Sequence, residues 1–133
     1  MTLDEVYKEA DSKGIEIDEI KMRSLKALSV PEGCIAVDVR KFKTRAALKT
    51  AIAHEMGHIT AGAFYALDAP DAERAQCEYK ADKRAALLLI PPEALKKAMQ
   101  AGAVEAWQLA EEFDVTERFI RRALSIYRSK AYL

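Results

Sequence analysis

The chain has 133 residues, 50% of them apolar, and its 21 basic and 21 acidic side chains cancel to zero formal charge. At roughly 100–200 residues per domain that is one domain with a single core. A neutral chain lacks the basic excess that draws proteins to nucleic acid or anionic membranes, and its longest apolar run, Ala85 to Ile90, is far short of the roughly 20 residues that cross a bilayer.

From the N-terminus, residues 1–12 predict a short amphipathic helix with Leu3, Val6 and Tyr7 on one side. Its acidic start, Met1-Thr2-Leu3-Asp4-Glu5, has no basic stretch leading into an apolar one, so no signal peptide is expected. Gly14 then opens three β-like runs: Ile15 to Ile17, Ser24 to Leu28 and Cys34 to Val39. Pro31 and Gly33 mark a turn between the last two, and together the runs predict a small antiparallel sheet. From Thr44 onward the pattern is helical. Thr44 as N-cap and Gly62 near the far end bound a helix to about Ala61. Asp71, just after Pro70, is read as the cap of a second helix that stops at Pro91-Pro92. Pro92 suits the first turn of a third, which Gly102 ends, and two more follow over 104–113 and 117–129, the last capped by Thr116. The expected fold is α+β, a small antiparallel sheet beside a mostly helical body in a single domain spanning 1–133. Residues 1–43 supply the first helix and the sheet, 44–91 two central helices and 92–133 the C-terminal ones.

The only two histidines, His54 and His58, lie in His54-Glu55-Met56-Gly57-His58. On a helix, positions i and i+4 share a face, so both imidazoles can reach one ion. Glu55 is turned about 100° from His54 and can face a water beside the metal without ligating it. This is the H-E-x-x-H arrangement of two zinc ligands and a general base. Leu48, Ile52 and Ile59 form an apolar stripe while Ala47 and Ala51 lie on the histidine side, so this helix is expected at the centre of the fold. Gly57 interrupts it at a cost of about 1 kcal/mol relative to alanine, which implies a close backbone approach, either at the metal site or against a strand.

Catalytic zinc takes three protein ligands and leaves one position open. With no third histidine, the second helix offers Glu73, Cys77, Glu78 and Asp82. Glu78 is favoured, because Asp82 lies one turn further along the same face, where a carboxylate can accept the free ring N–H of a ligating histidine. Cys77 points about 100° away and is read as a buried thiol, Glu73 as a first-turn acid that complements the helix dipole. Two cysteines, Cys34 and Cys77, are too few for a disulfide scaffold and are expected to be reduced in a soluble cytoplasmic protein.

The block Ala53-His54-Glu55-Met56-Gly57-His58, then Glu78-x-x-Ala81-Asp82-Lys83-x-Ala85-Ala86, then Leu88-Leu89-Ile90-Pro91 resembles the ImmA/IrrE family. These are small gluzincin-like metallopeptidases of phages, integrative elements and bacterial regulators, and the similarity covers roughly residues 15–130. It implies a zincin-like body, one zinc ion per chain held by His54, His58 and Glu78, Glu55 as catalytic base, and Asp82 as the partner of a ligating histidine, His54. It also implies a protein substrate, a helix-turn-helix repressor that such proteins cleave or cause to be cleaved. The short chain is expected to lack the further domains that some members carry. Zinc at such a site lowers the pKa of a bound water and polarises the scissile carbonyl, and Glu55 moves the proton. Tyr65 and Tyr79 are the candidate donors to the oxyanion.

A second signal runs from Leu109 to Leu124, which resembles a helix-turn-helix with Arg118, Arg121 and Arg122 on its second helix. Asp114 stands where the turn usually has glycine. The favoured reading is a helical pair packed on the catalytic body, with Trp107, Leu109, Phe113, Phe119, Ile120 and Leu124 as core, and direct nucleic-acid binding is not expected. Two alternatives to a peptidase are a non-catalytic zinc protein that docks to a repressor and a DNA-binding protein using residues 109–124. Arg40-Lys41-Phe42-Lys43-Thr44-Arg45 is read as solvated surface.

Overall fold

The computed structural model describes residues 1–133. Its elements run α1 (Leu3–Ser12), β1 (Glu16–Glu19), β2 (Ala27–Val30), β3 (Cys34–Val37), a 3-10 turn (Val39–Lys41), α2 (Arg45–Ala61), α3 (Asp71–Leu89), α4 (Pro92–Gln100), α5 (Ala106–Phe113) and α6 (Glu117–Ser129). The α+β expectation holds: six helices lie beside a three-stranded sheet. No helix is long and apolar enough to cross a membrane.

Most helix ends fall where their caps predict. The Thr44 side chain accepts from the Ala47 amide at 3.1 Å, and Thr116 accepts from Phe119 at 3.2 Å. Gly62 ends α2 in the left-handed conformation, φ 61°. α3 starts differently: Pro70 is its N-cap without a side-chain bond, and Asp71 is the first helical residue, its charge facing the helix dipole. α5 starts two residues later than expected, where the Gln108 side chain accepts from the Val104 and Glu105 amides.

The sheet is mixed rather than antiparallel. β2 and β3 form the expected hairpin, with Val30 opposite Cys34, but β1 pairs with β3 in parallel and the order is β1-β3-β2. Residues 20–26 carry the chain past the end of β3 to the opposite edge. Buried Asp38 fixes that crossing: its carboxylate accepts from the Met22 amide at 2.9 Å, and its own amide donates to the Lys26 carbonyl at 2.9 Å. The Arg40 guanidinium, at 2.8 Å, holds the Asp38 carboxyl well below the usual carboxylate range, with the Met22 amide assisting. Neighbouring strands in sequence are often neighbours in space, and that expectation fails here because the connection is too long for a tight hairpin.

One cluster of 21 buried residues draws on all six helices and β3. α2 runs through it and buries Ile52, Ala53, Met56, Gly57 and His58, so it is apolar on more than one face as expected. α6 contributes Phe119, Ile120, Ala123, Ile126 and Tyr127, and the Tyr127 hydroxyl donates to the Ile90 carbonyl at 2.7 Å, tying α6 to the end of α3. Trp107 departs from the expected core: it is 52% exposed, because α5 turns Leu109 and Ala110 inward and Trp107 lies about 200° from Leu109.

Lys49 is an element of the core that the sequence does not announce. It is 1% exposed on α2, and its ammonium donates to the carbonyls of Met1 at 2.8 Å and Phe113 at 3.0 Å, with Asp114 at 3.7 Å. Burial pulls its pKa down against the charge of Asp114. Asp114 occupies the left-handed position, φ 52°, of the α5–α6 turn, a conformation that aspartate tolerates. Lys49→Met keeps the volume of the stem but strands two carbonyls, and about 1–3 kcal/mol of stability is expected to be lost in urea titration.

Candidate metal centre

α2 and α3 pack side by side, and Gly57 sets how closely. A Cβ on Gly57 would lie 2.9 Å from the carbonyl carbon of Ala81 and closer still to its oxygen. The close approach that Gly57 implies is therefore made to a helix rather than to a strand. It is made at the residue before Asp82 and one helical turn after Glu78, so the same contact brings both carboxylates to the histidines.

Each imidazole is fixed through one nitrogen and faces a common point with the other. His54 Nδ1 lies 2.8 Å from Asp82 Oδ1, and His58 Nδ1 lies 2.6 Å from the Ala63 carbonyl. Both acceptors require a proton on Nδ1, which leaves the Nε2 lone pairs free. The Ala63 carbonyl reaches His58 because Gly62, in its left-handed conformation, turns the chain back over the end of α2. The two Nε2 atoms are 3.2 Å apart, and Glu78 brings its Oε1 to 3.3 Å from that of His54 and its Oε2 to 2.8 Å from that of His58. His54, His58 and Glu78 thus converge with their ligand atoms within 4.8 Å of one another.

Such a group is unstable without a cation. The converging atoms are electron-pair donors, and buried Glu78 Oε2 has no hydrogen-bond donor of its own. The contact at 2.8 Å becomes favourable only with a positive charge between the atoms, and two imidazoles with a carboxylate are a donor set suited to zinc. Burial works against protonation of His54, but the hydrogen bond and charge of Asp82, with Glu55 and Glu78 nearby, raise its pKa above the ordinary value. Asp82 stays ionised for the reciprocal reason: burial opposes its charge, and hydrogen bonds with His54 and Arg122 prevail.

Arg122 is the residue at this site that motif reading does not find. Its Nε donates to Asp82 Oδ2 at 2.9 Å, completing a chain from α6 through Asp82 to His54. The segment that resembles a recognition helix thereby turns one of its arginines into the site. The signal was present as a basic residue on α6, but nothing local links positions 82 and 122. Asp82→Asn weakens both ends of this chain, and metal affinity is expected to fall about 10–100-fold in a chelator competition.

Glu55 stands beside the convergent atoms and outside them. Its Oε1 accepts from Ser29 Oγ at 2.7 Å, so the edge strand β2 orients the carboxylate. Ser29 is the second residue that motif reading misses. Tyr65 follows α2 in the loop held by Arg74, which donates to the Leu67 and Ala69 carbonyls and lies 5.5 Å from the Tyr65 ring. Burial raises the Tyr65 pKa, and the charge of Glu78 adds to the rise. Tyr79 is turned elsewhere, with Arg122 and Lys130 over its ring at 5.5 and 5.8 Å, in a different cavity beside Lys80 and Lys83. Cys77 is half-buried and directs its thiol to the Phe64 carbonyl, and Glu73 is exposed in the first turn of α3, so neither joins the ligand group.

A family model described as the IrrE N-terminal-like domain, a peptidase family, matches residues 13–125. No curated protein and no solved structure matches the chain.

Proposed function

The chain belongs to the IrrE N-terminal-like peptidase family, and from that premise we propose that it is a zinc-dependent metallopeptidase that cleaves a specific protein substrate. The observation that carries this reading is the convergence of three electron-pair donors, His54, His58 and Glu78, with a carboxylate next to them that is not one of the three. A purely structural metal site has no use for Glu55.

Zinc held by His54, His58 and Glu78 would supply Lewis acidity, lowering the pKa of a water to about 7 and polarising a carbonyl oxygen. Glu55 would accept the proton of the attacking water as its oxygen bonds to the carbonyl carbon, and would pass that proton to the nitrogen as the tetrahedral adduct collapses, the carbonyl re-forms and the C–N bond breaks. Ser29 holds the Glu55 carboxylate in the orientation that this transfer needs. Asp82 and Ala63 hold the ligand tautomers, so that each neutral ring turns its lone pair on Nε2 to the common point. Tyr65 is the candidate donor to the oxyanion.

The substrate inferred from the resemblance is a helix-turn-helix repressor, of a phage or mobile element. The test is to incubate the zinc-loaded protein with helix-turn-helix repressors from the same genome and to follow both chains by mass spectrometry. Cleavage at one bond by the parent, and none by Glu55→Gln, is the expected result. An intact repressor bound tightly by both forms would favour a docking protein instead.

A further inference from the structure

A cleft of about 870 Å³ opens over the ligand group, and cations from two sides face it: Lys26 from before β2, and Arg118 and Arg122 from α6. Its carboxylates are already engaged. Asp82 is bound by His54 and Arg122, Glu55 by Ser29, and Glu78 faces both histidines. Arg122 is likewise committed to Asp82. Lys26 and Arg118 differ: both are exposed, neither makes an ion pair, and Lys26 only overhangs the Phe42 ring at 5.9 Å. Three cations match three carboxylates along the lining, so a divalent ion at the ligand group leaves the cleft net positive, and its concave walls focus that field.

We propose that this cleft selects peptide segments bearing an aspartate or glutamate close to the bond held at the metal, with Arg118 and Lys26 receiving the acidic side chain. A guanidinium suits a carboxylate through two parallel hydrogen bonds, and Arg118 is free to make them. Phe42, with Ala47 and Ala51 on the same lining, offers apolar surface to a neighbouring residue of the same segment. A nucleic-acid backbone fits less well. Its closely spaced phosphates would meet Glu55, Glu78 and Asp82 in the same cleft, and the core buries the face of α6 that carries Phe119, Ile120 and Ala123.

The inference rests on the peptidase reading for the nature of its ligand, and binding separates the two. Zinc-loaded Glu55→Gln protein is titrated by fluorescence anisotropy against labelled peptides that differ only in one residue, Asp or Lys, scanned along the peptide. At one or more positions the Asp peptide is expected to bind roughly five- to twentyfold more tightly. That ratio should fall towards one in high salt and in a Lys26→Ser/Arg118→Ser variant, and Arg118→Glu alone should reverse it. Equal affinities at every position, no binding of any peptide, or a preference that survives the double substitution would each overturn the inference. So would duplex DNA that displaces the Asp peptide. Parent protein that cleaves peptides without acidic preference overturns this inference and leaves the peptidase reading intact, whereas acidic preference in binding without cleavage by the parent does the reverse.

Discussion

Glu55→Gln is expected to bind metal as the parent does while kcat for peptide hydrolysis falls at least about 10²–10⁴-fold. The amide keeps the size of the carboxylate and can still meet Ser29, which lies 2.7 Å from it, but it cannot take a proton from water. His58→Ala is expected to behave in the opposite order: the metal goes first, and activity with it. His58 is buried, and the Ala63 carbonyl at its Nδ1 holds its Nε2 at the convergence point, so alanine there removes one of the three donors. Metal analysis and turnover measured on the same two preparations separate the roles. A Glu55→Gln protein as active as the parent would contradict the assignment of the base, and a His58→Ala protein with full metal would contradict the ligand set.

Gly57→Ala should be among the most damaging single-methyl changes in the chain. In an exposed helix this substitution stabilises by about 1 kcal/mol. Here the added carbon meets the backbone of α3 at Ala81, which cannot rotate away as a side chain would. α2 and α3 must separate, at an expected cost of about 1–3 kcal/mol, or a fall of roughly 3–15 °C in Tm. The same separation carries Glu78 and Asp82 away from the histidines, so metal affinity should fall as well. A chelator titration at a temperature where the variant is still folded distinguishes this from simple unfolding. A variant with parental Tm and parental metal affinity would show that the two helices are not held at their limit of approach.

What the sequence made legible was governed by local chemistry. Thr44, Gly62 and Thr116 mark helix ends because caps act through side chains within a turn of the boundary. His54, Glu55 and His58 share one helical turn, and Glu78 and Asp82 another, so each half of the site could be read from spacing, and the resemblance joined the halves. What remained hidden depends on distance along the chain. The parallel pairing of β1 with β3 follows from a crossing fixed by Asp38, well downstream of both the crossing and β1. Arg122 reaches Asp82 from another helix, Ser29 reaches Glu55 from the sheet, and Lys49 is buried only because two distant carbonyls receive its ammonium. Charge in a sequence is normally read as surface, and Lys49 and Asp38 depart from that rule because each has its partners in place. Trp107 departs in the other direction, exposed where its size suggested core.

The facing of His54, His58 and Glu78 around one point is the central claim, and metal content tests it most directly. Elemental analysis of untagged protein, purified without chelators alongside its Glu78→Ala variant, should find about one zinc per chain in the parent and little or none in the variant. Parent protein that holds no metal even after zinc is supplied, or a variant that binds zinc as tightly as the parent, would contradict it.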